Sequence, residues 1–321
     1  MLRYLARRLA FAFVLVFLVS SGGLLLTRLA PGDFTAELFG STSAQSIARE
    51  RARYGLDRPI LTQYLEWLPR AARLDLGVSL MYGRPVRELV GQRAVNSGLL
   101  ALAALLVATL IGVPLGVVSG SRRGGFVPAL IRGLSLVSLS LPPLLTSLLF
   151  VFVAARTGWF PIGGMVSVEA TQAGWDTWVR DLAWHLPLPT LALALPIAAM
   201  LERLQAQAMA ETVGEPYVLS ALARGVPYGR LIWRDALRVA IRPVASIYGL
   251  VVAGLLSGSF AVEIVTAWPG LGRLMYDALR ARDLYLVAGC ATAGAIFLAA
   301  GSLVSDLILA AIDPRLREIR D

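Results

Sequence analysis

Ala94–Val118 reads AVNSGLLALAALLVATLIGVPLGVV, an unbroken run without one Asp, Glu or Arg. A helix rises 1.5 Å per residue, so about 20 such residues cross the ~30 Å hydrocarbon core of a bilayer. Five similar runs flank it: Leu9–Thr27, Gly133–Ala155, Leu182–Leu201, Pro243–Val262 and Leu284–Ser305. The chain has 321 residues, 57% hydrophobic and only 16% charged. A soluble protein carries roughly a quarter charged residues. The apolar excess sits in these long runs, which is the pattern of membrane spans and not of one large core. An all-α membrane protein of six transmembrane helices is expected.

Charge orients the spans. Arg3, Arg7 and Arg8 precede the first run, and Arg122 and Arg123 lie in the second connection. Glu202–Arg242 carries Arg203, Arg224, Arg230, Arg234, Arg238 and Arg242, and the carboxyl end adds Arg315, Arg317 and Arg320. Under the positive-inside rule these segments are cytoplasmic, and six crossings put both termini there. The connection of about Ala30–Arg93 is also Arg-rich, but it is long and mixed with acidic residues, where the rule has little force. The expected organisation is an amino-terminal segment and first helix (1–29), an extracytoplasmic loop (30–93), a core of five helices (94–312) and a cytoplasmic tail (313–321). The core contains a cytoplasmic loop at about 202–242. A cleaved signal peptide does not fit the start, because the apolar run is too long and no A-x-A-like site follows in Arg28-Leu29-Ala30-Pro31-Gly32-Asp33.

Composition excludes several functions. All 30 basic residues are Arg, and without Lys there is no ordinary phosphate-binding P-loop. Cys290 and His185 are the only residues of their types, which argues against a thiolate cluster, a multi-histidine metal site or a histidine proton relay. No metal site and no cofactor of the chain's own is expected. An ion-coupled carrier or channel is the alternative transport reading, and it usually places ionisable residues inside its spans. The six runs hold no Asp, Glu or Arg. Glu202, Glu263 and Asp306 fall at run ends, where solvated or snorkelling charges are expected. An intramembrane serine protease needs a base within hydrogen-bond reach of its nucleophile. His185 starts the fourth run and Ser257-Gly258-Ser259 lies mid-way along the fifth, with Leu255 interrupting the usual G-x-S-G frame, so that reading fails.

The inside loop is patterned. Pro216 suits a first helical turn, and Tyr217, Val218, Ala221 and Leu222 then fall at helical spacing. Gly225 is a carboxyl-terminal cap and Pro227 stops continuation. A second helix, Arg230–Ile241, returns the chain to the membrane at Pro243. Such a short helix suits either a lipid surface or a groove on a partner protein. Gly254, Gly258 and Ser259 are candidates for close helix contact.

The segment Tyr217-Val218-Leu219-Ser220-Ala221-Leu222-Ala223-Arg224-Gly225 resembles the E-A-A-x-x-x-G cytoplasmic loop of ABC importer permeases. It looks closest to the Y-V-x-x-A-x-A-K/R-G form of the dipeptide, oligopeptide and nickel subfamily. Other similar motifs follow in order: Leu29-Ala30-Pro31-Gly32-Asp33, Tyr54-Gly55-Leu56-Asp57-Arg58-Pro59, Gln63-Tyr64-Leu65 with Trp67, and Asp75-Leu76-Gly77-Val78-Ser79. Gly83-Arg84-Pro85-Val86, Gly158-Trp159-Phe160-Pro161, Val262-Glu263, Trp268-Pro269-Gly270-Leu271-Gly272-Arg273, Asp283-Leu284-Tyr285 and Asp313-Pro314-Arg315 complete the set. Two departures stand out: Leu219 occupies the position of the motif's glutamate, and Thr266 replaces an aromatic two residues before Trp268.

The resemblance implies a type I ABC importer permease in a bacterial or archaeal inner membrane. It would form half of a pathway for peptides or similar solutes beside a homologous second permease. Two ATP-binding cassette subunits would hold the ATP and Mg2+, and an extracytoplasmic binding protein would deliver the solute. Lipid surrounds the assembly and nucleic acid is not a partner. The implied ATPase-coupling residues are Glu215, Tyr217, Val218, Ala221, Arg224, Gly225, Arg230 and Leu231. The implied outer gate or binding-protein contact comprises Glu263, Trp268, Pro269, Gly270, Leu271 and Gly272.

Overall fold

A computed structural model describes residues 2–29, 34, 49, 52, 57–122 and 124–312. Ala30-Pro31-Gly32-Asp33, Tyr54-Gly55-Leu56, Arg123, Asp313-Pro314-Arg315, Arg317 and Arg320 lie outside the described residues. Five helices are long and apolar enough to span a membrane, or six if one bent pair counts as a single span. The described chain divides into two compact units.

The first unit joins Leu2–Gly98 to Pro269–Ala299. It contains α1 (Leu2–Leu29), α2 (Ile60–Ala71), the start of α3 (Val86–Ser121), α13 (Leu271–Arg280) and the first part of α14 (Leu284–Ile312). Trp67, Val86, Leu89, Leu274, Leu286 and Val287 are buried in its apolar core. The Thr292 hydroxyl meets Ser20 at 2.8 Å and Ser21 meets the Tyr64 hydroxyl at 2.9 Å, so α1 is held to α14 and α2 by polar as well as apolar contacts. Helix α3 begins eight residues before the apolar run that opens at Ala94. Val86, Leu89 and Val90 share one buried face, while Arg87, Glu88 and Arg93 break up the hydropathy signal from the other.

The second unit runs from Leu99 to Trp268 and takes up the chain again from Ala300. It holds the rest of α3, α4 (Phe126–Ser140), α5 (Pro143–Thr157), α6 (Val168–Gln172), α7 (Trp175–His185) and α8 (Pro187–Val213). Then come α9 (Pro216–Ala223), α10 (Tyr228–Arg230), a π-helical stretch Leu231–Ala236, α11 (Leu237–Ser246) and α12 (Tyr248–Val265). The run Gly133–Ala155 is not one straight helix: α4 and α5 meet at 104°. Pro142 and Pro143 explain the break, because a proline drives the preceding residue out of the helical region. Leu141 accordingly sits at φ −98°, ψ 113°. The fifth run is divided too, with Ile247 between α11 and α12, and Pro243 lies inside α11.

Glycines bring α3 and α8 into close contact. A Cβ on Gly112 would stand 2.5 Å from the Ala198 carbonyl oxygen, and one on Gly116 would stand 2.6 Å from the Glu202 carbonyl oxygen. Gly120 presses on the backbone of Ala206 in the same way. Three glycines four residues apart therefore let two helix backbones touch. Of the contact candidates named from sequence, Gly258 does meet Leu193 and Pro143, whereas Gly254 faces open space.

Candidate functional site

Helix α8 does not stop at the end of its apolar run. Leu201, Gln205, Ala208, Met209 and Thr212 continue one buried face to Val213, so the connection to the next span begins only at Gly214. Glu215 occupies the position before α9, its backbone extended at φ −69°, ψ 143°, and Pro216 opens the first turn. Val218 and Ala221 turn inward against Leu231, with Leu222 and Val226 packed beside them. The end of α9 is a Schellman closure: Val226 N–H donates to the Ala221 carbonyl at 3.2 Å and Gly225 N–H to Leu222 at 2.9 Å. Gly225 has φ +83°, the left-handed backbone that glycine adopts without steric cost.

All eight residues expected to couple to an ATPase therefore lie in one hairpin, with distinct placements. Val218, Ala221 and Leu231 form its interior, while Glu215, Tyr217, Arg224 and Arg230 are exposed. Tyr217, Leu219, Tyr228 and Trp233 present large apolar surface to the outside, at 43%, 56%, 45% and 49% exposure. Burial pushes the Tyr217 hydroxyl above its ordinary pKa, and the charges of Glu215 and Asp235 add to the shift. The hairpin is tied to the span region by Tyr228, whose hydroxyl donates to the Ser121 carbonyl at the end of α3, 2.6 Å away. It is also tied by the π-helical stretch, where Ile232 and Ala236 pack with Val117, Ala208, Met209 and Ala240. π-helical turns are rare and recur at functional sites.

At the other group of expected residues, Glu263 and Trp268 are fully buried in the second unit. Thr266, which replaces the aromatic, is buried as well. Its hydroxyl bonds back to Val262 at 2.7 Å and its carbonyl accepts from Gly164 N–H at 2.9 Å, closing α12 against the 163–164 loop. Ala267 then takes φ +53° to turn the chain into Trp268. In the first unit, Asn96 donates to the Pro269 carbonyl at 2.8 Å and Ser97 accepts from Leu271 N–H at 2.7 Å. Gly270, Leu271 and Gly272 are buried there.

Two carboxylates depart from the sequence expectation. Glu202 and Glu263 are not solvated at span ends; both are buried, and the Ser119 hydroxyl donates to Glu202. Glu202 is buried because α8 continues past it. The Asp306 side chain lies outside the described residues. His185 is buried with Nδ1 2.9 Å from the Asp181 carbonyl and 3.4 Å from its carboxylate, so its ring is engaged on its own helix.

Residues 112–318 match the family of binding-protein-dependent transport system inner membrane components, and residues 1–75 match that family's amino-terminal region. The chain belongs to this permease family. It is 34% identical over 326 residues to the oligopeptide transport system permease protein OppB of Mycobacterium tuberculosis, covering 99% of each chain. It is 31% identical over 320 residues to the oligopeptide transport system permease protein AppB of Bacillus subtilis, covering 98% of this chain and 99% of that one.

Sequence reasoning missed several residues that shape this permease. Gly112, Gly116 and Gly120 carried a legible signal, small residues at four-residue spacing along an apolar run and just past its end. Asn96 and Ser97 were also visible as a polar pair at the head of the decisive run. Asp283 was quoted only as part of a motif. It is fully buried and accepts from the Ser79 hydroxyl at 2.6 Å, Met81 N–H at 3.0 Å and Leu286 N–H at 3.1 Å. It caps α14 and holds the 79–81 turn against it.

Proposed function

We propose that this permease forms half of an import pathway for oligopeptides, driven by two ATP-binding cassette subunits that dock on the hairpin 215–231. The observation that carries the reading is the hairpin's division of labour. Its interior is sealed by Val218, Ala221 and Leu231, so Tyr217, Leu219 and Tyr228 expose apolar surface, with Arg224 and Arg230 also exposed and Trp233 exposed just beyond its end. Aromatic and Arg anchors of this kind suit a protein groove. The oligopeptide assignment follows the names of the full-length relatives in Mycobacterium tuberculosis and Bacillus subtilis.

In this reading both termini and the hairpin are cytoplasmic. ATP and Mg2+ reside on the partner subunits, and a homologous permease supplies the other half of the pathway. An extracytoplasmic binding protein delivers solute at the opposite face. Glu263, Trp268, Gly270, Leu271 and Gly272 are buried and Pro269 is half-buried, so a gating role for them runs through the backbone they hold in place and not through direct solute contact. Closure of the ATPases displaces α9 as a rigid piece. The Tyr228–Ser121 bond and the π-helical stretch pass that displacement to α3, α8 and α11. A near-complete switch between two packings needs about 5.5 kcal/mol of differential binding.

Disulfide cross-linking from position 219 tests the docking. In a Cys290→Ser background, Leu219→Cys is expected to cross-link to single-cysteine ATPase subunits, with a yield that changes on ATP binding. Absence of any cross-link while the complex stays assembled contradicts it.

A further inference from the structure

Outside the hairpin, the second unit holds a cavity of about 560 Å³ where α3 ends beside α4 and α8. Its wall includes Arg122, Arg132 and Arg203, against a single carboxylate, Glu202. That carboxylate is already engaged by the Ser119 hydroxyl, and both residues are buried. None of the three guanidinium groups has an ion-pair partner among the described residues. Arg132 is steered to the wall by a long contact to the Ser119 carbonyl, 3.5 Å. The volume is within the range of small-ligand sites. Arginine forks match phosphate oxygens, and a wall with three arginines and one engaged carboxylate has the charge to suit an anionic group.

One further feature identifies what carries the phosphate. Arg132, Leu136 and Leu139 stand at i, i+4 and i+7 on α4 and so share one helix face. Leu136 is 55% exposed and Leu139 39%. An apolar strip thus runs along α4 away from the arginine. A phosphate beside an apolar strip is the outline of an anionic phospholipid.

We propose that this cavity is a binding site for a phosphate-bearing anion, with the headgroup of an anionic phospholipid seated among Arg122, Arg132 and Arg203 and an acyl chain along Leu136 and Leu139. Free phosphate shares the headgroup chemistry and is distinguished by the test. Basic pockets at membrane surfaces recognise anionic headgroups in this way. The site adjoins the hairpin at Ser121, whose carbonyl accepts from Tyr228, but its three arginines lie outside the hairpin and the proposal does not depend on the ATPase reading.

Native mass spectrometry of the detergent-purified full chain, titrated with phosphatidylglycerol, phosphatidylcholine or inorganic pyrophosphate, reads it directly. The wild type is expected to favour phosphatidylglycerol over phosphatidylcholine about tenfold, and each of Arg132→Gln and Arg203→Gln to lower phosphatidylglycerol affinity about fivefold. Arg180→Gln, on exposed α7, serves as the control and leaves it unchanged. Leu136→Asp keeps the arginines and is expected to weaken the lipid while sparing pyrophosphate. If pyrophosphate binds and Leu136→Asp has no effect on either ligand, the site holds a free phosphate-type anion. Equal binding of the two lipids by wild type with no pyrophosphate binding overturns the proposal. Retention of wild-type preference in both arginine variants overturns it as well.

Discussion

Val226 N–H donates to the carbonyl oxygen of Ala221 across 3.2 Å, and this bond folds the chain back at the end of α9. The same turn brings Val226 onto the cluster formed by Val218, Ala221 and Leu231. The hairpin is thus a small packed body with its own interior. Its inner and outer residues should respond differently to truncation. Val218→Ala removes two buried methyl groups and is expected to cost about 2 kcal/mol, seen as a lowered Tm of the detergent-solubilised permease. Leu219→Ala is expected to change stability by no more than about 0.5 kcal/mol, with little shift in Tm, yet to weaken co-purification of ATPase subunits. If both variants change Tm equally, the inside–outside division is wrong.

The glycine row on α3 gives a second contrast. Gly116→Val places atoms where the Glu202 carbonyl and the Gln205 side chain already stand, and α3 and α8 must separate. Overpacking of this kind costs about 1–3 kcal/mol or more. Gly254→Ala meets nothing within 4 Å and is expected to be neutral or slightly stabilising. Thermal melts followed by size-exclusion chromatography compare the two.

Asp283 supplies a third. Both carboxylate oxygens accept hydrogen bonds from the chain, one from Leu286 N–H and the other from the Ser79 hydroxyl and Met81 N–H. Asp283→Asn turns one acceptor into a donor that faces a donor, at a cost of about 1–3 kcal/mol. Faster proteolysis in the 73–86 segment, with the rest of the chain intact, is the expected readout.

The pH response of Tyr217 has a definite sign. Its pKa is raised on folding, first by burial and then by Glu215 and Asp235. The folded state therefore holds its proton more tightly. The stability this represents is complete below the unfolded pKa of 10.0 and is lost as pH rises through the folded value. Above pH ~10 the wild type should lose stability more steeply than Tyr217→Phe. Urea titrations at pH 8 and pH 11 test this, and parallel losses would contradict it.

How much was legible in the sequence differs by feature. Helices such as α1, α12 and α14 were readable because hydrocarbon imposes a length and forbids charge, and both show in a single chain. The break between α4 and α5 was only half readable: Pro142-Pro143 signalled a bend, but a 104° turn depends on neighbours no pattern reveals. The burial of Glu202 was hidden because hydropathy scores residues singly, whereas Ser119 on a different helix supplies the hydrogen bond. In the hairpin, Gly225 and the Val218–Ala221 spacing revealed the helix and its stop. Leu231 entered only as a coupling residue implied by the motif resemblance, and its packing against Val218 and Ala221 was not visible, since contact across a turn has no local periodicity.

If the hairpin 215–231 receives ATPase subunits, they should stay bound to it through purification. Co-purification of tagged permease with its neighbouring gene products under gentle extraction, wild type against Gly225→Asp, tests it most directly. The account predicts that ATPase subunits accompany the wild type and are lost or uncoupled from transport in the variant, because Asp at φ +83° disrupts the closure of α9. A wild-type permease that purifies without any ATPase, or a variant that retains full coupling, would contradict it.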